Sequence, residues 1–414
     1  MTRTSHSKTV RVTRRTFSAG LGAAGLVAGT APFNIIRAAG PLKVGVLLPR
    51  SGYQAGIGQD CQRGVEISNG VLKQLGLPEL QIMNGDTETN VDVARSRAEK
   101  LIGDGAQLLV GAFDSGQTTA IAQVAEQKGI PLVINIAAAP PITEQGYKFV
   151  FRNFPTGPMI IRDALLNQKE VFQITGSTPK TAVMMHVNDT YGMAIKGGMG
   201  AMFPKFDMPY KILEQIAYDP AARDLSVEVA KAKATGAEVL IAVSRLNDAI
   251  LITRELVKQR WSPAAILSIG PGWYEDQYLK TLNKLSDGPI SLVPWYDPNK
   301  KVSKLLEPAL AKAYPGVGMS TNHVYTFEAL LIASDAYKRA GTADPKALAE
   351  AIRKTNITDN VSPGPGIMFD AKGQNDKLKC SAIQNRGGKL VTIAPKDAAN
   401  AKPEWPLKPY DKRG

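Results

Sequence analysis

The sequence predicts an α/β protein of two lobes, each built on a doubly wound parallel sheet. From residue 42 onward, short runs rich in Val, Ile and Leu alternate with longer amphipathic stretches, the order expected of strand, crossover helix and strand. The short runs are nearly continuous in apolar residues, which is typical of strands covered by helices on both faces. Because the rhythm restarts at Thr181, two lobes are expected.

The first lobe is predicted from four strands with helices between them. Gly76, Gly105 and Gly129 stand where the helices end, as expected because glycine accepts the left-handed backbone that closes a helix. The predicted strands are 43–48, 80–84, 107–112 and 131–134, and the predicted helices are 60–75, 91–104 and 116–128.

The second lobe is predicted from strands 181–187, 211–216, 238–243, 264–269 and 289–293, separated by helices 191–203, 224–235, 248–260 and 274–285. Helical segments 302–313, 322–340 and 345–355 follow, and then a β-rich ending at 367–393. Because these late helices have no strands between them, we expect them to return to the first lobe. The residues from about 394 to 414 are rich in Pro, Lys and Ala and predict a loosely packed tail.

The first 40 residues have the layout of a cleavable export signal. A basic segment with Arg14 and Arg15 precedes the small-residue apolar stretch 18–31 and the cluster 38–40. Paired arginines are typical of the twin-arginine route, which carries folded proteins. The apolar stretch is shorter than the ~20 residues that cross a bilayer. We therefore expect cleavage within a few residues of position 40 and a mature protein in the periplasm.

The charge of the mature chain argues against nucleic-acid recognition. The signal holds six basic residues and no acidic ones, which leaves 44 basic against 37 acidic residues, a balance of +7. This surplus is spread along the chain, with no basic run before the tail. Such a distribution favours solubility rather than a nucleic-acid surface.

No motif supports an enzyme, a cofactor or a metal site. The segment 20–25 matches the dinucleotide pattern, but it lies in the export signal with no strand before it. There is no Walker lysine, no Gly-x-Ser-x-Gly and no HExxH. Cys61 and Cys380 are too few for a disulfide framework and are expected to be separate buried thiols, although the oxidising compartment would permit pairing. We expect no catalytic residue.

A glycine-rich loop at residues 49–58 follows the first strand, at the sheet edge where open α/β folds bind ligands. Its Pro-x-Ser-Gly opening and spaced glycines resemble those of the periplasmic leucine/isoleucine/valine-binding protein family. Further marks of that family fall in the same order over residues 43–393: 111–119, 129–131, 137–140 before Thr143, 151–152, 189–192 and 269–271.

The resemblance implies a bilobed receptor of the type I periplasmic binding fold, with three crossovers and the ligand in the cleft between the lobes. It divides the chain into lobe 1 at 41–152 and 296–357, lobe 2 at 153–295 and 358–395, and a flexible tail at 396–414. The expected partners are a small solute and the permease and ATPase subunits of an ABC importer, with the receptor a monomer. The alternative is a sensor of the same fold that reads an amide, urea or an organic acid.

A carboxylate site is predicted at the end of the third strand. Asp114 and Ser115 begin a helix there, so free backbone N–H groups and the Ser115 hydroxyl should meet an anion. The resemblance implies that Ser115 and the turn containing Ile136 and Ala138 grip the carboxylate, although Ala138 lacks the hydroxyl of the threonine usual at this place. Ser115 as a helix cap alone is the alternative.

The opposite wall of the cleft departs from the family. The resemblance places Tyr191 against the ligand, Arg245 where a tyrosine is usual, and Gly272 where an acid is usual. A cation and no acid at these two places would not bind a free amine unless Asp114 supplies the negative charge. An organic or aromatic acid is therefore favoured, or a solute whose second carboxylate binds Arg245. A solvated rim position is the alternative for Arg245. The aromatic residues expected to line the cleft are Tyr191, Trp273, Tyr53 and Phe113.

Overall fold

The computed structural model describes residues 40–396 and 398–412, so all but the last residue of the predicted export signal lies outside the described part. The first sheet has five parallel strands in the order β2-β1-β3-β4-β5. The four predicted strands are confirmed, and β5 was missed because three residues are too short to show a period. The strands are β1 Leu42–Leu48, β2 Leu80–Asp86, β3 Leu108–Gly111, β4 Leu132–Ile134 and β5 Val150–Arg152.

The second sheet has seven strands in the order β14-β13-β10-β9-β8-β6-β7. The strands from β6 to β10 run parallel to one another, whereas β13 pairs antiparallel with β10 and with β14. The predicted two-sheet α/β fold is therefore confirmed. The strands are β6 Thr181–Val187, β7 Lys211–Tyr218, β8 Val239–Val243, β9 Ala265–Ser268, β10 Ile290–Pro294, β13 Cys380–Arg386 and β14 Lys389–Ala394, and a separate pair is β11 Asn356–Ile357 with β12 Ile367–Met368.

Helices cover both sheets. The late helices α9 Ser303–Ala313 and α10 Thr321–Ala340 pack against α1, which places them beside the first sheet, as their lack of intervening strands indicates. Below, the first lobe means the first sheet with α1–α3 and α9–α11, and the second lobe means the second sheet with α4–α8. The other helices are α1 Ala55–Gln74, α2 Val91–Gly103, α3 Ser115–Lys128, α4 Gly157–Thr175, α5 Thr190–Met202, α6 Ser226–Ala234, α7 Leu246–Lys258, α8 Asp276–Leu282 and α11 Pro345–Arg353.

Helix α4 was not predicted, although its start carries two recognisable signals. Thr156 precedes it and its side-chain oxygen accepts the N–H of Met159 at 3.4 Å. Pro158 occupies the first turn, where its missing N–H costs nothing. The helix packs against β10 and β13 of the second sheet. The chain thus passes from the first sheet to the second directly after β5.

The end of the chain lies against the second lobe. The ring of Trp405 meets that of Phe172 edge-on with centroids 5.5 Å apart, and the N–H of Leu407 donates to the carbonyl of Ala264 at 2.8 Å. Leu407 and Tyr410 are buried. Composition alone predicts a loose tail because it averages over these three apolar side chains.

Cys61 and Cys380 are both buried free thiols, on α1 of the first lobe and β13 of the second. None of the described helices is long and apolar enough to cross a bilayer.

Arg152 holds the first passage between the lobes. It is fully buried, and its guanidinium donates to the carbonyls of Ala137 and Ala139 at 3.1 and 2.7 Å. It also donates to the Thr143 hydroxyl at 2.7 Å and the Gln374 side-chain oxygen at 2.6 Å. Burial lowers the pKa of Arg152 to about 9. These bonds fix the loop after β4, which the sequence analysis placed at the ligand.

Replacing Arg152 by methionine should therefore destabilise the protein strongly. The change removes four hydrogen bonds and takes from the buried carbonyl of Ala137 its donor, while the carbonyl of Ala139 keeps only the N–H of Ile142 at 3.3 Å. We therefore expect the free energy of unfolding to fall by about 3 kcal/mol or more. Urea unfolding measures the loss. The control is Arg97→Met, which removes only an exposed pair with Glu88 and should change stability by about 0.5 kcal/mol or less. Equal effects of the two variants would contradict this role for Arg152.

Candidate functional site

The carboxyl ends of strands from both sheets face one another across a cavity. Its empty volume is about 510 Å³, a figure that includes open solvent at its mouth. Residues of both lobes line it, and most of them are apolar. The lining residues are Phe113, Ile136, Ala137, Ala138, Phe154, Ile160, Tyr191, Arg245, Gly270, Pro271, Tyr274, Val293, Pro294, Thr321 and Asn322.

Phe113 is held in the wall of this cavity by an unusual backbone conformation. Its φ of +72° lies in the left-handed region, which costs a non-glycine residue of order 1–3 kcal/mol. The N–H of Phe113 donates to the side-chain oxygen of Asn135 at 3.1 Å, and the Asn135 amide donates in turn to Thr326 at 2.9 Å. These hydrogen bonds therefore stabilise an unfavourable backbone conformation that places the Phe113 ring in the cavity wall.

Asp114 caps the helix that the sequence analysis expected to bind the ligand. One oxygen of its carboxylate accepts the N–H groups of Gly116 and Gln117 at 2.9 and 3.1 Å. These amides are therefore not free, because an aspartate at this position is itself a strong N-cap. The positive end of α3 is already neutralised from within the chain.

Ser115 joins the start of α3 to the loop after β4. It is 1% exposed, and its hydroxyl oxygen accepts the N–H of Ala138 at 3.2 Å. The hydroxyl hydrogen remains available to an acceptor. Ile136 and Ala138 line the cavity, so Ser115 lies directly behind its wall.

Arg245 lies between two carboxylates and bridges the lobes. Its guanidinium donates to Asp114 of the first lobe at 3.1 Å and to Asp189 of the second at 2.5 Å. It also stacks over the Tyr191 ring at 5.1 Å from the centroid. The residue is 5% exposed, so the alternative of a solvated rim position does not apply. We call Asp114, Arg245 and Asp189 the interlobe ion cluster.

The cluster keeps Arg245 charged. Burial by itself would lower the pKa of Arg245, but the carboxylates of Asp189 and Asp114 outweigh it and raise that pKa above its ordinary value. Two carboxylates against one guanidinium leave the cluster with a surplus negative charge. Arg245 therefore has no uncompensated charge to offer a second ligand carboxylate.

The aromatic residues divide between the cavity and other places. Tyr191 lines the cavity, and its hydroxyl donates to the carbonyl of Ile269 at 2.7 Å. Trp273 is fully buried in the second lobe, where its indole N–H donates to Ser244 at 2.6 Å, and it is absent from the cavity wall. Tyr53 is 44% exposed at the mouth of the cleft. Their ligand roles stay predictions.

Several residues at the site were missed from the sequence. Gln54 is 2% exposed and donates to Asp114 at 3.0 Å, although the glycine-rich loop drew attention to Tyr53 beside it. Asp189 stood in the quoted motif 189–192, where only the tyrosine was given a role. Tyr274, Thr321 and Asn322 carry no local signal, because the chain brings them to the cavity from the second lobe and from α10.

A second interlobe contact lies beside the cavity. Asp60 of α1 and Glu275, the residue before α8, form a hydrogen-bonded carboxyl pair, and Glu275 is 2% exposed. Arg63 pairs with Asp60, and the Asn322 amide donates to Glu275 at 2.8 Å. Burial, and then the neighbouring Asp60, raise the pKa of Glu275 well above its ordinary value. Glu275 therefore keeps its proton to a higher pH than an exposed glutamate does.

This bilobed α/β architecture, with an apolar cavity closed between the lobes, is that of a solute receptor rather than an enzyme. The sequence family described as periplasmic binding protein matches residues 41–383, and the chain belongs to that family. Among curated relatives, Leu/Ile/Val-binding protein homolog 8 of Brucella abortus (strain 2308) is 25% identical over 377 residues, which cover 87% of this chain and 92% of the relative.

Solved structures share the fold. The branched-chain amino acid transporter substrate-binding protein LivJ of Streptococcus pneumoniae, in complex with isoleucine, has a TM-score of 0.72 at 16% identity and covers 86% of this chain and 100% of its own. A solute-binding protein of an ABC transporter from R. palustris, in complex with benzoate, has a TM-score of 0.72 at 19% identity and covers 88% and 100%.

The carboxyl pair predicts how stability depends on pH. Because the pKa of Glu275 is raised in the folded state, the proton stabilises the fold at low pH, and this stabilisation is lost as the pH rises from about 4.5 through the folded-state pKa. Glu275→Gln keeps both hydrogen bonds without a titrating proton. We expect wild-type stability to fall relative to this variant by up to about 1.4 kcal/mol per pH unit across that window.

Thermal unfolding at several pH values between 4.5 and 8.5 measures the effect. The control is Glu99→Gln, which changes an exposed glutamate on α2 and should follow the wild type at every pH. Parallel pH profiles for the wild type and Glu275→Gln would contradict the raised pKa of Glu275.

Proposed function

We propose that the protein is the solute receptor of an ABC importer of the branched-chain amino acid type, exported by the twin-arginine route to the periplasm. It binds a small carboxylate-bearing solute, either an amino acid or an organic or aromatic acid, by hinge closure of its two lobes. The observation that carries the proposal is the interlobe ion cluster, because Arg245 of the second lobe bonds to Asp114 of the first beside an apolar cavity.

The cavity supports a solute with an apolar body. Phe113, Phe154, Ile160 and Tyr191 are among the lining side chains that such a body would contact. Burial of apolar area stabilises a complex by about 25 cal/mol per Å² before the cost of ordering. The two solved structures hold isoleucine and benzoate, which have an apolar body and one carboxylate. The curated relative is named for leucine, isoleucine and valine, which also have both.

The carboxylate end of the solute is proposed to lie at Ser115 and the loop after β4. The Ser115 hydroxyl has a hydrogen to donate, and Arg152 holds the loop that contains Ala138 by bonds to the carbonyls of Ala137 and Ala139. Asp114 takes part through the ion cluster rather than through the ligand. Since Arg245 already pairs with two aspartates, the proposed solute carries one carboxylate, and a dicarboxylate is disfavoured.

The test is a thermal-shift panel with leucine, isoleucine, phenylalanine, benzoate and succinate. A solute present at one hundred times its Kd should stabilise the protein by about 2.7 kcal/mol. We expect at least one monocarboxylate to do so and succinate to have no effect. A panel without any stabilising monocarboxylate would count against the function, whereas stabilisation by succinate alone would count against the assigned charge balance.

Removing Arg245 should weaken binding of the stabilising solute. In Arg245→Met, Asp114 and Asp189 face each other without their shared cation, so closure costs more and affinity should fall by about 3 kcal/mol. Isothermal titration measures the loss. Arg254→Met is the matched control, because Arg254 is exposed on the same helix α7. Unchanged affinity in Arg245→Met would show that the cluster does not govern closure.

A further inference from the structure

Asn322 is a polar residue in the wall of an apolar cavity. It lies at the start of α10 and is 1% exposed. Its side-chain amide donates to Glu275 of the second lobe at 2.8 Å. Its side-chain oxygen has no hydrogen-bond partner among the described residues. A buried carbonyl oxygen in this state is unfavourable, because it has lost its hydrogen bonds to water and gained none from the protein.

The other polar side chains of the wall are satisfied by the protein. The Thr321 hydroxyl donates to the carbonyl of Pro294 at 2.6 Å and accepts from the Tyr274 hydroxyl at 3.0 Å. Tyr191 donates to Ile269, and Arg245 is held in the ion cluster. The side-chain oxygen of Asn322 is thus the exception in the described lining of the cavity.

The orientation of the Asn322 amide is set from the other lobe. Turning it over would place its oxygen against a carboxyl oxygen of Glu275. That oxygen of Glu275 accepts the N–H of the Asn322 side chain at 2.8 Å, a bond that the turned amide would lose. The amide therefore donates to Glu275, and its oxygen is kept without a partner.

We propose that Asn322 is a specificity-determining residue whose side-chain oxygen accepts a hydrogen bond from a hydroxyl or N–H on the apolar body of the solute. Its neighbours in the wall, Val293 and Pro294, pack against the hydrocarbon part of that body. The inference rests on the proposed function and narrows its ligand class. Solutes that carry a donor on the body are preferred over their hydrocarbon counterparts, because the counterpart leaves the Asn322 oxygen unsatisfied.

Matched pairs of probes test the inference: tyrosine with phenylalanine, threonine with valine, and 4-hydroxybenzoate with benzoate. Isothermal titration should show the donor-bearing member of at least one pair binding about tenfold tighter than its counterpart, the effect of one hydrogen bond of about 1.4 kcal/mol. In Asn322→Leu this ratio should fall to about one while the counterpart still binds. If the Asn322→Leu variant does not fold, Asn322→Ala provides the same test.

Asn299→Leu is the control, because Asn299 is exposed and remote from the cavity wall. It should keep the wild-type ratio. Equal binding within every pair that binds, or a ratio that persists in Asn322→Leu and Asn322→Ala, would overturn the inference and leave the receptor function standing. A panel in which no member of any pair binds would overturn the proposed ligand class and the inference with it.

Discussion

The closed arrangement of the lobes depends on one buried cation placed between two anions. Arg245 is almost fully buried, and a guanidinium in that position is tolerated only because Asp114 and Asp189 accept its hydrogen bonds. One of those carboxylates belongs to the opposite lobe, so the condition for burying Arg245 is that the lobes meet. Asp114 and Asp189 are the N-caps of α3 and α5, so the starts of two helices, one from each lobe, position the carboxylates.

The same cluster limits the solute. Asp114 both caps α3 and bonds to Arg245, so the end of the helix and the guanidinium are neutralised by one side chain. On the proposed function, the surplus negative charge that remains would disfavour a solute with two carboxylates and favour one that also carries a cationic group, as an amino acid does. The Asp60 and Glu275 pair beside it offers no cation to an acidic solute.

Much of the fold could be predicted from the sequence, because strands such as β1 and helices such as α2 can be recognised from the pattern of a few consecutive residues. Helix α4 and strand β5 were missed, the first although Thr156 and Pro158 mark its start and the second because it is short. The site was harder for a different reason. Arg245 and Asp114 lie 131 residues apart, and a spacing pattern cannot show that a carboxylate and a guanidinium from separate lobes will neutralise each other. Trp273 was expected to line the cleft, but its side chain packs within the second lobe. Its position beside a glycine turn in the sequence does not distinguish these two places.

Asn322 and Arg152 illustrate two ways in which a buried polar group is used. Arg152 has every group around it satisfied, including two backbone carbonyls of the loop that faces the cavity, and so it fixes geometry without contacting a solute. Asn322 lines the cavity, with its side-chain N–H satisfied across the lobes and its buried side-chain oxygen without a partner among the described residues. A fully paired group contributes to the scaffold, whereas a half-paired group gains its missing hydrogen bond only from what binds. On this argument the open half of Asn322 adds to binding free energy rather than to the stability of the empty protein.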